Sequence, residues 1–285
     1  MTPVPIPSAA PAPTLTTNLR ALTLNTRLPS LSAAKADDND LDISVRLSKL
    51  LTLVKGFAPS IACLQECDVK LTLAPLLAGL GKTWTSDGIG KVHVAWDGAK
   101  WRKVGPSRIV NMPNGGEAER RLVIVKLQSI KTGGTIFVLA THLGVHMTNE
   151  AKVRIGQAEQ IVAELQAYGA DEECAVLIGG DFNDVPAADK AGVRQVFAQS
   201  AFALQDLRSR LTDASLYHRS NDTAHGYGKR QTRSRWLDDL LTGGTLRPVE
   251  GWVLLTDSEA PTDVRHATDH NAVAARLQFE SEVRP

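Results

Sequence analysis

The chain is short of cysteine, of net charge and of long apolar runs, and each shortage removes a class of function. Lys plus Arg number 32 against 31 Asp plus Glu, a formal net charge of +1 over 285 residues. No global field therefore draws the chain to nucleic acid or to an anionic membrane, and any basic surface has to be local. No stretch is long and apolar enough to span a bilayer. The cysteines, Cys63, Cys67 and Cys174, are odd in number and sit in or beside apolar runs. They read as buried free thiols, not a disulfide frame or a zinc site, which favours a reducing, cytoplasmic setting. The opening MTPVPIPSAAPAPTLTT lacks a basic start and a continuous apolar region, so a signal peptide is not expected. It reads as an extended Pro/Ala tail over 1–17, followed by a folded region over 18–280 and a short tail over 281–285. Neither a repeat of short period nor an interdomain linker is visible, and one monomeric domain is the expectation.

What the chain does have is apolar runs that end abruptly in polar residues. Ala175 to Ile178 is uninterrupted and apolar, as suits a strand covered on both faces, and leads through Gly179 and Gly180 to Asp181, Phe182 and Asn183. The two glycines remove side-chain bulk, so the chain is expected to turn sharply and a ligand to approach the main chain there. Leu19 to Leu24 ends in Asn25, Ile61 to Leu64 ends in Gln65, Glu66 and Asp68, and Thr135 to Ala140 ends in Thr141 and His142. Trp236 to Thr242 carries Asp238, and Asp269 with His270 precedes the strand Ala272 to Phe279.

Helical spacing recurs from Ile43 to Val54, from Val69 to Leu80, from Val153 to Leu165 and around Lys190 to Gln199, with a short helical piece near Leu204 to Leu211. Thr148 or Asn149 would cap the third of these and Gly169 end it. Leu122 to Leu127 and Thr135 to Ala140 predict one hairpin. Val92 to Trp96 with Trp101 and Val104, across Asp97-Gly98, predict another. Taken singly, each polar residue also reads as a turn, a cap or a solvated charge: Asp181, Asn183 and Asp184 suit a turn, and Asp238 beside Asp239 suits surface charge. A sheet protein, however, sets the ends of neighbouring strands side by side, and joint occurrence at six exits points to one rim. A carboxylate-rich set with amides and only two histidines is hard-oxygen chemistry, suited to Mg2+ or Mn2+ and not to zinc or copper.

These residues carry a resemblance. LTLN (Leu22 to Asn25), LQECD (Leu64 to Asp68), ATHLG (Ala140 to Gly144), GGDFND (Gly179 to Asp184), WLDDLL (Trp236 to Leu241) and ATDHNAV (Ala267 to Val273) occur in one order. They match the motif series of the endonuclease/exonuclease/phosphatase superfamily, the DNase I-like fold, over nearly everything from Asn18 to Phe279. The resemblance implies a four-layer α/β sandwich, two central mainly antiparallel β-sheets flanked by helices, and metal-dependent cleavage of phosphate esters. Glu66 resembles the principal metal ligand, helped by Asn25 and Asp269. Asp181 resembles the residue that orients and deprotonates the attacking water, and Asn183 the amide that holds water or phosphate in line. His142 and His270 resemble donors to phosphate oxygens, and Asp238 the carboxylate that orients His270. Arg154 and Gln157 resemble supporting positions, or else lie on a helix surface. The family often has an aromatic residue after this aspartate and a basic one two places before it. Asp239 and Trp236 stand there instead, which puts local packing and a phosphate contact in doubt.

The fold does not choose the substrate. The segment His218 to Arg235 holds Arg219, Lys229, Arg230, Arg233 and Arg235, interleaved with His225 and Tyr227. It reads either as a grip on a polyphosphate backbone with a base stacked on it or as a solvated basic loop. The expectation is a metal-dependent phosphodiesterase acting on nucleic acid, DNA before RNA, with no membrane partner. The alternatives are an enzyme for a small or lipid phosphate ester and a non-catalytic phosphate-binding module.

Overall fold

The uninterrupted apolar runs become the central strands of two facing sheets. The structure, a computed structural model, describes residues 14–27, 42–114, 119–144, 150–183, 192–211, 217–218, 237–254, 268 and 270–282. The chain opens with β1 (Thr14–Asn25), α1 (Ile43–Phe57) and β2 (Ile61–Gln65), then a π-helical turn (Val69–Leu73) that runs into α2 (Ala74–Leu80). Next come β3 (Trp84–Ile89), β4 (Val92–Asp97), β5 (Trp101–Lys103), β6 (Arg108–Met112), β7 (Arg120–Ser129) and β8 (Thr135–His142). After α3 (Glu150–Ala167) follow β9 (Ala175–Asp181), α4 (Val193–Gln199), β10 (Gln205–Asp206) and the single turn α5 (Leu207–Arg210). The last strands are β11 (Tyr217–His218), β12 (Asp238–Gly244), β13 (Arg247–Leu254) and β14 (Ala272–Glu282).

Among the described residues one sheet runs β11-β13-β14-β1-β2-β4-β3, and the other β10-β12-β9-β8-β7-β5 with β6 also on β7. Most neighbours are antiparallel. Three of the described pairs are parallel, β1/β2, β8/β9 and the short β11/β13, and the first two each enclose a helix, α1 and α3, in their connection. Alternation along the strands sorts the core into three. Leu19, Ala21, Ile61, Cys63 and Val94 of one sheet meet Val123, Val138, Leu177 and Leu240 of the other. The opposite faces pack on helices: Ile124, Leu139 and Ile178 beneath Ile161 of α3 and Phe197 of α4, and Leu22 and Leu64 beneath Leu50 and Val54 of α1. Each such side chain contributes about 1.5–3 kcal/mol on burial. The result is the expected four-layer α/β sandwich.

The second expected hairpin does not form. β4 pairs with β2 on one edge and β3 on the other, so neither edge is open to Trp101. A turn at Asp97 does occur, with the Lys100 N–H donating to the Asp97 carbonyl at 2.9 Å. The chain then crosses between the sheets, and β5 joins β7 with Trp101 opposite Ser129. Trp101 fills the inter-sheet core and its indole N–H donates to Ser60 Oγ at 3.2 Å. The piece near Leu204 to Leu211 is likewise less helical than its spacing suggests, a two-residue strand followed by one turn of helix.

Gly179 and Gly180 have a different purpose from the one expected. Both lie inside β9 and are fully buried. A Cβ on Gly179 would stand 2.5 Å from Cys63 Cβ and 3.1 Å from Thr23 Cβ, both in the other sheet. A Cβ on Gly180 would stand 2.9 Å from the Thr141 side chain. The missing side chain at Gly179 therefore lets the sheets close on each other just below the polar strand ends, while the one at Gly180 leaves room for Thr141 of the adjacent strand in the same sheet.

Burial also settles the thiols. Cys63 and Cys67 are enclosed, and burial pushes each up to about 12, while Cys174 is half-buried. A thiolate, not a thiol, reacts with disulfide reagents. An aromatic disulfide reagent should therefore label Cys174 in the native protein and all three cysteines only after unfolding. Rapid native labelling of Cys63 would contradict this packing.

Candidate active site

Side-chain alternation places the polar strand ends on the same face as the inter-sheet core. Asn25 follows Ala21 and Thr23, Asp181 follows Leu177 and Gly179, and His142 follows Val138 and Ala140, each two residues apart along its strand. Register then sets them beside one another. His142 stands opposite Asp181 across β8/β9, and Asp181 opposite Asp238 across β9/β12, a row of three on adjacent strands. Asn25 and Glu66 come from the facing sheet, and the close approach at Gly179 brings them into contact with that row.

Asn25 links the two sheets. Its Nδ2 donates to Asp181 Oδ2 at 3.0 Å and to Glu66 Oε1 at 3.2 Å, and its Oδ1 accepts the Arg27 N–H at 3.0 Å. Two carboxylates thus flank one amide at the end of a buried cleft. His270 Nδ1 lies 2.6 Å from Asp238 Oδ2, and Asp238 is fully buried. An ionised carboxylate only accepts, so Nδ1 carries the proton and Nε2 is turned away from the pair. His142 Nε2 sits 3.5 Å from Asp181 Oδ2, and the Asn183 N–H donates to Asp181 Oδ1 at 3.1 Å. The Asn183 side chain donates to the Leu143 carbonyl at 3.1 Å. Arg27, Glu66 and Asn183 hold left-handed backbone angles, φ 52°, 51° and 50°. Ala58 and Ala203 also hold such angles, φ 51° and 46°, away from the rim, so the angles alone do not mark the site.

The charges of these groups are set by one another. Burial alone would raise Asp181, but His142, His270, the Asn25 amide and the Asn183 N–H outweigh it and hold its carboxyl below the ordinary range. Burial pushes His142 down; Asp181 and Glu66 oppose this, while Arg120 and His270 add to it. The pair therefore rests as carboxylate and neutral imidazole at neutral pH. Ligand atoms of Asp181, Asp238 and His270 lie within 4.8 Å of one another. The carboxylates of Glu66 and Asp181, one on each side of the Asn25 amide, are hard oxygen donors of the kind a divalent cation accepts, while Asp238 Oδ2 is engaged by His270 Nδ1.

The Endonuclease/Exonuclease/phosphatase family model matches residues 22–270, a span that contains every one of these strand ends. The chain belongs to that family. Its members are metal-dependent phosphoric-ester hydrolases, and so is this chain. No curated protein matches it. An endonuclease/exonuclease/phosphatase from Bacteroides vulgatus superimposes with a TM-score of 0.75 at 18% identity, covering 92% of this chain and 99% of that one. A Bacteroides thetaiotaomicron mannosyl-6-phosphatase gives 0.72 at 18% identity, covering 91% and 99%. D. rerio TDP2 complexed with single strand DNA product gives 0.69 at 15% identity, covering 92% and 99%. At these identities the likeness is one of fold.

Of the family residues anticipated from sequence, Asn25, Glu66, His142, Asp181, Asn183, Asp238 and His270 meet at this one rim. Asp269, Arg219, Tyr227, Lys229, Arg230, Arg233 and Arg235 lie outside the described residues. Arg154 and Gln157 brace the loop after His142: Gln157 Oε1 accepts the Gly144 N–H at 3.1 Å, and Arg154 donates to the Gly144 carbonyl at 3.2 Å. Gln157 Nε2 also reaches the Pro113 carbonyl. Sequence reasoning missed Thr268, whose hydroxyl donates to the Asn25 carbonyl at 2.8 Å and ties the His270 segment to β1. A hydroxyl two places before His270 was its only signal. Arg120, at the entry to β7, was missed as well and bears on His142 through its charge. No helix among the described residues is long and apolar enough to cross a membrane.

Proposed function

We propose that the chain is a phosphodiesterase that hydrolyses nucleic acid, DNA before RNA, by in-line attack of an activated water. The observation that carries the hydrolytic reading is the convergence of Asn25, Glu66, His142, Asp181, Asp238 and His270 from six separate strand ends. Glu66 and Asn25, with Asp269, would hold a divalent metal, most simply Mg2+, which when bound polarises a phosphoryl oxygen and offsets its charge. Asp181, kept ionised by its neighbours, accepts the proton of the attacking water. Asn183 fixes the position of that water or of a phosphate oxygen. His270, its Nδ1–H accepted by Asp238 and its protonated form favoured by that carboxylate, presents Nε2–H to the phosphate with His142 beside it, and donors fixed in advance cost no reorganisation as charge develops.

The substrate reading rests on the basic segment from Arg219 to Arg235, and the DNA-bound TDP2 of like fold supports it. The second reading is a small phosphate ester, supported by the mannosyl-6-phosphatase of like fold. One comparison separates them. Neutralising Lys229, Arg230, Arg233 and Arg235 should weaken DNA binding and flatten its salt dependence, because fewer counterions are released. Hydrolysis of a short chromogenic phosphodiester should survive at near its original rate, since that substrate cannot reach the segment. Equal losses on both substrates, or none on either, would turn the assignment to small or lipid phosphates.

A further inference from the structure

We propose that Arg194 and Asp239 are positioning residues: an ion pair on the outer face of the second sheet that holds Asp238 and Asp181 in catalytic register. This rests on the hydrolytic reading above. Asp238 and Asp239 are consecutive in β12 and point to opposite faces. Asp238 enters the cleft to meet His270, and Asp239 turns back beneath α4, where it is fully buried. There Arg194, in the first turn of α4, donates to Asp239 Oδ2 at 3.0 Å, and the Leu240 N–H donates to Oδ1 at 2.9 Å. Both carboxylate oxygens are thus engaged, one by a helix and one by the strand's own backbone.

The same helix grips the neighbouring strand. Phe182, between Asp181 and Asn183, is buried on the outer face and meets Phe197 of α4 edge-on at 5.8 Å. The Phe182 N–H donates to the Leu237 carbonyl at 2.8 Å, closing the ladder in which Asp181 faces Asp238 and Gly180 faces Asp239. α4 therefore backs both members of the facing pair, Asp181 through Phe197 and Asp238 through Arg194. An apolar contact holds depth but not rotation about the strand. Arg194 on one carboxylate oxygen and the Leu240 N–H on the other pin Asp239 from two directions and so restrain that rotation. Placing a carboxylate in this apolar layer is costly without its partner, so a role in geometry accounts for the pair better than a role in stability.

The test uses the full-length protein with Mg2+ and a chromogenic phosphodiester, and compares Asp239→Asn, Arg194→Lys and the double change Arg194→Leu/Asp239→Leu. Asp239→Asn should lower kcat by about tenfold to a hundredfold with KM nearly unchanged, the scale of a sub-ångström to 1 Å misplacement. Arg194→Lys, which keeps the charge but not the planar guanidinium that reaches Asp239 Oδ2, should fall between it and wild type. The double change should keep the wild-type Tm, since apolar pairs commonly replace buried ion pairs without loss of stability. Its kcat should nevertheless stay low. The His270 Nδ1–H resonance in the proton NMR spectrum reads the same geometry without turnover, and it should move in Asp239→Asn and in the double variant. Recovery of both kcat and that resonance in the double variant would reduce the pair to packing, and wild-type kcat and resonance in Asp239→Asn would make it a bystander. If the wild-type protein turns over no phosphodiester, the phosphodiesterase reading fails, and the resonance still decides whether Asp239 positions Asp238.

Discussion

Replacing Glu66 by Gln should reduce Mg2+-dependent turnover by at least about a hundredfold, roughly 2.7 kcal/mol at the transition state, while the protein stays folded. The substitution isolates charge from shape. Glu66 sits at φ 51°, a strained backbone angle that a Gln side chain inherits unchanged, and the acceptor oxygen that receives Asn25 Nδ2 at 3.2 Å is still present. What disappears is one of the two negative charges flanking the Asn25 amide, so the site loses attraction for a dication without losing its hydrogen bond. The loss should be largest at limiting Mg2+ and shrink as the ion is raised, because part of it is a binding defect. Steady-state rates across a Mg2+ titration, with Tm as the control for folding, check this. Normal activity at limiting Mg2+ would remove Glu66 from the metal site.

The central layers were legible in sequence because of the way they are buried. Ile61 to Leu64 and Ala175 to Ile178 carry no polar alternation since each strand is covered on both faces, by the facing sheet on one side and by helices on the other. Edge strands give no such signal. β3 reads WTSDGI, largely half-exposed and interrupted by Asp87 and Gly88, and it went unseen together with β6. That omission misdirected Trp101, because β4 looked as if one of its edges were open.

The polar strand ends were likewise visible as residues, but not the reason they meet. Asn25 touches Asp181 across 156 positions of sequence, and what allows it is the absence of a Cβ at Gly179, where Cys63 and Thr23 press from the other sheet. Glycine beside a polar turn is more often a bend, and only the facing sheet turns it into a spacer. Asp239 shows the same limit. Next to Asp238 it reads as surface charge, and its partner Arg194 is 45 residues away on a helix whose first turn carries no mark of the pairing. Of the left-handed residues, Asn183 is of a type that adopts such angles readily, whereas Arg27 and Glu66 are not, and nothing in their identity marks the turn.

Asp238→Asn and His270→Ala should each lower kcat/KM by about 10² to 10⁴, the range for losing a positioned acid or base, and the double variant should be little worse than the poorer single one. The geometry sets this expectation. Asp238 is fully buried and 2.6 Å from Nδ1, so its carboxylate acts on the substrate through the ring it orients, and removing the imidazole removes that action with it. Asn in its place removes the negative charge that accepts the Nδ1–H and favours the imidazolium, so His270 loses both its fixed orientation and the positive charge it would bring to the phosphate. Two independent sites would multiply their losses, whereas two residues acting as one unit repeat the same loss. A cycle of kcat/KM values for wild type, both single variants and the double, with Tm recorded for each, distinguishes these outcomes. Losses that multiply would mean that Asp238 acts on the reaction by a path that does not pass through His270, and the assignment of the pair as a unit would be abandoned.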